Sequence, residues 1–270
     1  MKAFVRHFIF EFRTGLRDKN QLLMNYLFPL GFFLIIGLLM TKVYPGFNEK
    51  LIHAMIIFSF LVSMILGMPS PIVTSREAGI FRTYKINGVP AKNIIMIPPI
   101  TTFLHTTLLS VIIIIASILF FKAPSPANWL WFILCLLMTA FSFAGLGMLI
   151  GVISINSRAT ILWSQLIFLP SMLIGGLMVP TDILPVALLR ISFLFPSTYA
   201  MNIFQGLALN RAVIINPIWS IIILFGTGIL SFGFAIYLFN WDSKNKTRRG
   251  NPLLAFLTLI PLIAGVIFLS

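Results

Sequence analysis

The stretch Thr74-Ser-Arg-Glu-Ala-Gly-Ile-Phe-Arg-Thr-Tyr-Lys-Ile-Asn-Gly-Val-Pro-Ala-Lys-Asn93 is a compact polar loop between two long apolar segments. Glu77 follows Thr74 at the spacing of a capping box, so a helix is predicted to begin at Thr74. Asn87-Gly88 favours a left-handed turn and Pro90 cannot continue a helix, so the helix is predicted to end there. The loop therefore predicts a helix of about three turns between two apolar segments.

The predicted helix combines charged residues with the apolar side chains of Ile80, Phe81 and Tyr84. A short helix of this kind is suited to docking into a groove on a partner protein. An ordinary basic loop at the cytoplasmic face of a membrane would also be rich in Lys and Arg. The spacing of the residues leaves both interpretations open.

The composition of the whole chain is that of a membrane protein. Of its 270 residues, 59% are hydrophobic and 9% are charged, and the mean hydropathy is +1.03. Charge is this scarce only where lipid replaces water, because an isolated ion in hydrocarbon is very costly. The excess of 19 Lys and Arg over six Asp and Glu could indicate a nucleic-acid partner. The basic residues lie in short loops between apolar runs, however, so we expect contacts with membrane lipids and none with nucleic acid.

Seven apolar segments are candidates for membrane spans, judged against the length of about 20 residues that a spanning helix needs. The seventh has 17 residues and contains Pro261, so it is expected to span with local thinning of the bilayer or to lie partly in the interface. Pro69 and Pro71 are expected to bend or end the second span. The segments are 22–41, 51–68, 94–121, 129–153, 160–179, 213–240 and 253–269.

The first 20 residues are too charged for a cleavable signal and predict an amphipathic helix in the cytoplasmic interface. The positions of the basic residues predict that this end of the chain lies in the cytoplasm. With that orientation 14 Lys and Arg residues are cytoplasmic and five are external. On a helical projection of residues 1–20, the apolar stripe consists of Phe4, Phe8, Phe12 and Leu16, and the basic face consists of Lys2, Arg6, Arg13 and Arg17.

Few polar side chains lie within the apolar segments. His53 and His105 are the histidines within apolar runs, and His105 lies deep in the third segment. His105 and Gln165 are expected to be neutral groups bonded to a neighbouring helix, although an intramembrane His is also a candidate proton carrier. Cys135 is expected to be a small buried hydrophobe, since one cysteine cannot form a disulfide within the chain. Glycines in the fourth and fifth segments indicate close helix approach, either within the chain or between copies. They are Gly145, Gly147, Gly151, Gly175 and Gly176.

The sequence lacks the patterns expected of an enzyme. It contains no paired carboxylates, no metal-binding spacing of His and Glu, and no Gly-x-Ser-x-Gly motif. A phosphate-binding Gly-x-x-x-x-Gly-Lys-Ser/Thr motif is also absent, so this chain is expected to bind no nucleotide by that route and to carry no cofactor. Powered transport would therefore need another polypeptide.

The stretch 179–211 is too apolar for a solvated loop, and its prolines divide it into pieces too short to cross a bilayer. We expect short helices that dip into the outer leaflet and rest on protein, because irregular backbone is not tolerated against lipid.

These features together resemble the permease subunit of ATP-binding cassette exporters of the type-2 class. The resemblance covers roughly residues 1–241 and rests on the order of three features. They are the basic N-terminal helix, the loop Ser75-Arg-Glu-Ala-Gly79…Gly88-Val-Pro90, and Gly175-Gly176…Pro180…Leu184-Pro185…Pro196-Ser-Thr-Tyr199. The chain differs from the family at Ile80, where Thr is common, and in the apolar segment after Asn251.

The resemblance implies a single six-span permease domain, here extended by a seventh segment, that pairs with a second copy or a paralogue. Two separate subunits would bind ATP and Mg²⁺. The loop helix would be the coupling helix that seats in the ATPase, and the stretch before the sixth span would cap the outer exit. The implied coupling residues are Arg76, Glu77, Gly79, Phe81, Arg82 and Lys85, and the implied gate residues are Gly175, Gly176, Pro180, Pro185, Pro196 and Tyr199.

The apolar, Phe- and Met-rich spans predict a lipophilic or amphiphilic cargo, such as a drug, an antimicrobial peptide or a lipid-linked molecule. The alternative function is a stand-alone secondary carrier or a membrane scaffold that is not coupled to ATP, in which His105 would respond to the proton gradient.

Overall fold

The computed structural model describes residues 2–242 and 250–269. Regular secondary structure in these two ranges is entirely helical, which confirms the predicted all-α class, and seven helices are long and apolar enough to cross a membrane. In chain order the helices are α1 (Lys2–Arg17), α2 (Lys19–Met40), α3 (Asn48–Glu77), α4 (Ile80–Ile86), α5 (Ala91–Phe121), α6 (Trp129–Ile153), α7 (Ser157–Ile174), α8 (Val186–Ser192), α9 (Pro196–Ala208), α10 (Pro217–Leu238) and α11 (Pro252–Leu269). The seven candidate spans among them are α2, α3, α5, α6, α7, α10 and α11.

Helix α3 forms the centre of the bundle. Helices α2, α5, α6, α7 and α9 pack around it. Of the residues in its most apolar 18-residue stretch, 89% are buried within this single chain. A helix that is apolar on all sides is expected at such a position, because it has no polar face to turn towards solvent. Helices α2, α7 and α11 are less buried: less than a third of the residues in the most apolar 18-residue stretch of each are buried, so their remaining apolar faces are open to lipid or to another protein.

Glycines allow α6 to pack closely against α10 and α3. A Cβ atom on Gly145 would lie 3.0 Å from the carbonyl oxygen of Gly228 in α10, and one on Gly147 would lie 1.9 Å from the carbonyl oxygen of Met64 in α3. Gly151 contacts Ile72 of α3 in the same manner, at 3.1 Å. The predicted close approach is confirmed, and these contacts are made within the chain.

Two helices contain π-helical turns that pack on each other. They are Leu23–Leu27 in α2 and Val62–Gly67 in α3, and a Cβ atom on Gly67 would lie 3.1 Å from the Cβ of Met24. The wide turn in α3 directly precedes Pro69, which has no N–H to donate. Helix α3 therefore continues through both prolines to Glu77, beyond the predicted end of the second span.

The capping box predicted at Thr74 is wrong. Thr74 lies inside α3, where its hydroxyl donates to the carbonyl oxygens of Ser70 and Pro71, both at 3.1 Å. The chain breaks instead at Gly79, whose φ of +74° is a left-handed conformation that favours glycine, and α4 begins at Ile80. Helix α4 is consequently seven residues long and shorter than predicted.

The predicted end of the loop helix is confirmed. Helix α4 ends at Ile86, and Gly88 has a φ of +72°. The N–H of Gly88 donates to the carbonyl of Lys85 at 3.1 Å, and the N–H of Val89 donates to that of Tyr84 at 2.9 Å. This pair of bonds is a Schellman motif, which satisfies the carbonyls left open at the end of a helix.

Helix α11 is long enough to span despite its 18 residues. Its first eight residues, Pro252–Leu259, form a 3₁₀-helix and the last ten, Ile260–Leu269, form an α-helix. A rise of about 2.0 Å per residue in the first part and about 1.5 Å in the second gives about 31 Å, which matches the hydrocarbon thickness of a bilayer. Pro261 is the second residue of the α-helical part, at the transition from the 3₁₀-helix.

Helix α1 packs against α5, and its predicted apolar stripe is directed mainly at protein. Phe4, Phe8 and Phe12 are partly buried, whereas Leu16 is 46% exposed. The exposed face contains Arg6, Arg13 and Arg17, together with the apolar side chains of Val5 and Ile9.

Candidate functional site

The predicted coupling residues lie at one end of the bundle, which we call the α4 end. It consists of the last turn of α3, helix α4, the turn between α6 and α7, and the residues that follow α10. Contacts across this end connect α4 and the adjoining last turn of α3 to α6, α7 and the end of α10.

Arg76 is directed into the protein. It is 5% exposed, and its guanidinium donates to the carbonyl oxygen of Val152 at 2.7 Å and to that of Ser154. Those carbonyls lie at the C-terminal end of α6, where carbonyls have no partner within the helix. Arg76 thus fastens α3 to α6. Its role in coupling to an ATPase stays a prediction.

Glu77 makes the neighbouring connection to α7. Its carboxylate is exposed and accepts a hydrogen bond of 2.9 Å from the hydroxyl of Ser157, the first residue of α7. The last turn of α3 therefore holds both sides of the α6–α7 turn. Gly79 then provides the left-handed residue that redirects the chain into α4.

Helix α4 presents one face to the bundle and another to its surroundings. Phe81 is 5% exposed, and its ring lies 6.0 Å from the ring of Phe239 and 6.4 Å from that of Tyr84. Arg82 is exposed and forms an ion pair with Asp242, which lies just after α10. Sequence reasoning missed Asp242 and Ser157, because each is distant in sequence from its partner.

The outward face of α4 is basic and apolar. Lys85 is exposed beside Arg82, and Ile80 and Ile86 are 42% and 79% exposed. Tyr84 lies at the edge of this face, and burial, with a smaller contribution from the nearby Glu11 carboxylate, raises the pKa of its hydroxyl above the ordinary value. A small surface of this kind can dock into an apolar groove with an acidic rim.

The predicted gate residues lie at the opposite end of the bundle. Helices α8 and α9 meet at an angle of 94°, as either a broken span or a re-entrant loop, which agrees with the predicted short helices. The hydroxyl of Tyr199 donates to the carbonyl of Phe193 at 2.8 Å, and that of Thr198 donates to the carbonyl of Ser192 at 2.6 Å. Both bonds close the corner, because they satisfy carbonyls at the end of α8. Pro185 directly precedes α8 and Pro196 is the first residue of α9.

The chain between α7 and α8 packs closely on α9. A Cβ atom on Gly175 would lie 2.0 Å from the hydroxyl oxygen of Ser197, and Ser197 donates to the carbonyl of Ser171 at 3.2 Å. Gly176 has a φ of +84°, and Pro180 is buried. A contact that the sequence did not predict completes this region, since the side chain of Asn202 donates to the carbonyl of Ile215 at 2.8 Å and to the hydroxyl of Ser220 at 3.0 Å.

The polar residues within the spans have different environments. His105 is 2.7 Å from the hydroxyl of Tyr26 in α2, so the predicted bond to a neighbouring helix is confirmed. The Oε1 atom of Gln165 and the Nε2 atom of His105 are both buried without a hydrogen-bond partner, and a bond of Gln165 to a neighbouring helix stays a prediction. His53 is 1% exposed and stacks on Phe204 at 6.2 Å. Cys135 is 2% exposed, as expected of a small buried hydrophobe.

A cleft of about 50 Å³ opens at the α4 end, and a drug-sized ligand would need about 300–1,000 Å³. It is lined in part by Arg76, Ser154, Asp242 and Pro252. Within residues 2–242 and 250–269, no group of three or more His, Cys, Asp or Glu side chains is placed to hold a metal ion.

Comparisons with known proteins identify the family. Residues 4–209 match the family model described as ABC-2 type transporter. The chain is also similar to the putative transport permease YvfS of Bacillus subtilis (strain 168), at 24% identity over 202 residues that cover 73% of this chain and 82% of the relative. No solved structure matches the chain. The matched residues include both α4 and the α8–α9 corner, and the chain belongs to the ABC-2 type transporter family as a membrane-spanning, non-catalytic permease subunit.

Proposed function

We propose that this permease is the transmembrane part of an ATP-driven exporter and that α4 is the element through which a separate ATPase acts on it. Membership of the family implies an ATP-binding cassette ATPase as partner. The observation that carries the assignment to α4 is its set of bonds: Arg82 reaches the end of α10, and the adjoining turn of α3 reaches α6 and α7. A displacement of this one helix would act on several spans.

The complete transporter would contain two permeases and two ATPases, with the amino terminus and α4 in the cytoplasm. The open apolar faces of α2 and α7 support a pathway between copies, because α3 is enclosed within its own chain. We propose a lipophilic or amphiphilic cargo that enters from the cytoplasm or inner leaflet and leaves past the α8–α9 corner. The cleft at the α4 end is too small for such a cargo.

Reconstitution tests the assignment to an exporter. The tagged permease is purified with the ATPase encoded beside it or, failing that, with the ATPase that co-purifies. ATP-dependent movement of fluorescent amphiphiles is then measured in liposomes. We expect export with ATP and the partner, and none with the permease alone. Uphill transport by the permease alone would overturn the proposal and favour a secondary carrier.

The class of cargo needs its own assay. Cells that express the permease with its ATPase are challenged with lipophilic dyes, membrane-active peptides and small hydrophilic ions. We expect reduced accumulation of the first two classes only. Protection that is confined to hydrophilic ions would contradict the proposed cargo without affecting the proposed role of α4.

A further inference from the structure

His105 occupies the point where three helices meet. It is 1% exposed on α5, its Nδ1 atom is 2.7 Å from the hydroxyl of Tyr26 on α2, and its ring stacks on Phe12 of α1. The ring centroids of His105 and Phe12 are 4.2 Å apart and the planes are inclined by only 9°. The imidazole thus contacts α2 through a polar bond and α1 through a flat apolar surface.

Gly15 allows the backbone of α1 to approach the same imidazole. Gly15 is buried, and a Cβ atom on it would lie 2.6 Å from the Nε2 atom of His105. Such a distance is well inside van der Waals contact, so no side chain fits there unless the imidazole moves. The position of α1 along α5 is therefore fixed by a complementary pair, a glycine on one helix and a histidine on the other.

The N-terminal part of α1 contacts helix α4. The rings of His7 and Tyr84 form an edge-to-face pair with centroids 5.4 Å apart, and Tyr84 belongs to α4. Eight residues separate His7 from Gly15, which corresponds to about 12 Å along the helix. Helix α1 thus connects α4 directly to the junction of α2 and α5.

We propose that His105 is a positioning residue that anchors α1 to α2 and α5, so that a displacement of α4 reaches these two spans through α1. The inference rests on the proposed function of α4. It assigns His105 a mechanical role, because its Nδ1 atom lies beside the hydroxyl of Tyr26 and its ring face is covered by Phe12.

The test compares two replacements of His105 in the reconstituted transporter. Asn places an amide oxygen near the position of Nδ1, where it can accept from Tyr26, whereas Gln places its amide near Nε2. We expect His105→Asn to keep the amount of cargo exported per ATP within about twofold of wild type. We expect His105→Gln to lower this ratio at least fivefold while ATP hydrolysis continues. Equal loss in both variants would overturn the proposal, and so would equal retention.

A second pair of variants tests the contact from the side of α1. Gly15→Ala is expected to displace the imidazole and to lower export per ATP, whereas Gly31→Ala on α2 is the control, because a Cβ atom at Gly31 would have no neighbour within 4 Å. Unfolding temperatures of both variants show whether the change is confined to coupling. A Gly15→Ala variant that is folded and fully coupled would overturn the anchor.

Failure of this inference can be separated from failure of the proposed function. If wild-type transporter shows no ATP-dependent export, the proposed function itself is wrong. If wild type exports with ATP and His105→Gln is as well coupled as His105→Asn, only the role of His105 is wrong. Export driven by a proton gradient and abolished by both substitutions would identify His105 as a proton carrier.

Discussion

Carboxylates are rare in this chain, and each one whose side chain is described has a specific partner. The sequence has six Asp and Glu residues, and the side-chain contacts of five of them are described. Because a charge near lipid needs a partner, a scarce acidic residue is a signal of a defined contact. Asp242 could have been singled out on this basis. The five contacts are Glu11 with His7, Asp18 with the N–H of Gln21, Glu49 with Arg211, Glu77 with Ser157, and Asp242 with Arg82.

Replacement of Arg76 should destabilise the permease rather than merely uncouple it. Arg76→Ala removes the donors to the carbonyls of Val152 and Ser154, and an unsatisfied buried polar group costs about 1–3 kcal/mol. We expect a lower unfolding temperature in detergent. Lys85→Ala, on the exposed face of α4, serves as the control and should leave the unfolding temperature unchanged. Equal unfolding temperatures for the two variants would contradict the structural role of Arg76.

Gly265 should be the most sensitive position of α11. A Cβ atom there would lie 1.9 Å from the hydroxyl oxygen of Tyr199, which is fully buried and closes the α8–α9 corner. Gly265→Ala should cost about 1–3 kcal/mol through overpacking. Gly233→Ala on α10 is the matched control, since its Cβ atom would meet nothing within 4 Å and Ala is favoured over Gly in helices by up to about 1 kcal/mol. The unfolding temperatures of both variants measure this difference. A Gly265→Ala variant as stable as wild type would show that α11 does not pack on Tyr199.

At the scale of elements, the bonds of α4 and of the adjoining last turn of α3 predict uncoupling without unfolding. Arg82→Ala breaks the ion pair with Asp242 and Glu77→Gln weakens the bond to Ser157. Exposed ion pairs contribute only about 0–1 kcal/mol, so the variants should fold. We expect ATP hydrolysis to continue with export reduced about tenfold or more, measured as cargo moved per ATP.

The chain offers a matched control for Arg82. Arg211 forms a comparable exposed ion pair with Glu49 at the opposite end of the bundle. Arg211→Ala removes an Arg–carboxylate pair of the same kind and should leave the coupling ratio near that of wild type. Unchanged export in both Arg82→Ala and Glu77→Gln would remove the assignment of α4.

The sequence predicts the spans well and the α3–α4 junction poorly, for a physical reason. Apolar runs are local, so composition alone places seven helices, with ends that differ from the predicted ones by at most five residues except at α3. The capping-box spacing at Thr74 is also a local pattern, but α3 continues beyond Thr74 to Glu77 after a π-helical turn that precedes Pro69. The partners of Arg76 are 76 and 78 residues away along the chain, and no spacing rule reaches that far.

For the whole molecule, we propose that the seven candidate helices cross the membrane and that the α8–α9 corner does not, which would place residues 2 and 269 on opposite sides. We expect a reporter fused before residue 1 to be cytoplasmic and one fused after Ser270 to be external. A fusion that ends at Asp242, before α11, should be cytoplasmic. A phosphatase that is active only outside the cytoplasm, paired with a fluorescent protein that folds only inside it, measures the three positions. A cytoplasmic reporter after Ser270 would mean that α11 does not cross the membrane.

The π-helical turn in α3 has a consequence for how this sequence is aligned with others. Each turn of this kind holds one more residue than the standard repeat, which offsets the following part of the helix by about 100°. The two halves of α3 therefore follow the same periodicity in different phase, and Arg76, which contacts α6, lies in the second half. An alignment of homologues that allows a one-residue gap between Val62 and Gly67 should consequently superimpose the cytoplasmic halves correctly where an ungapped alignment would not.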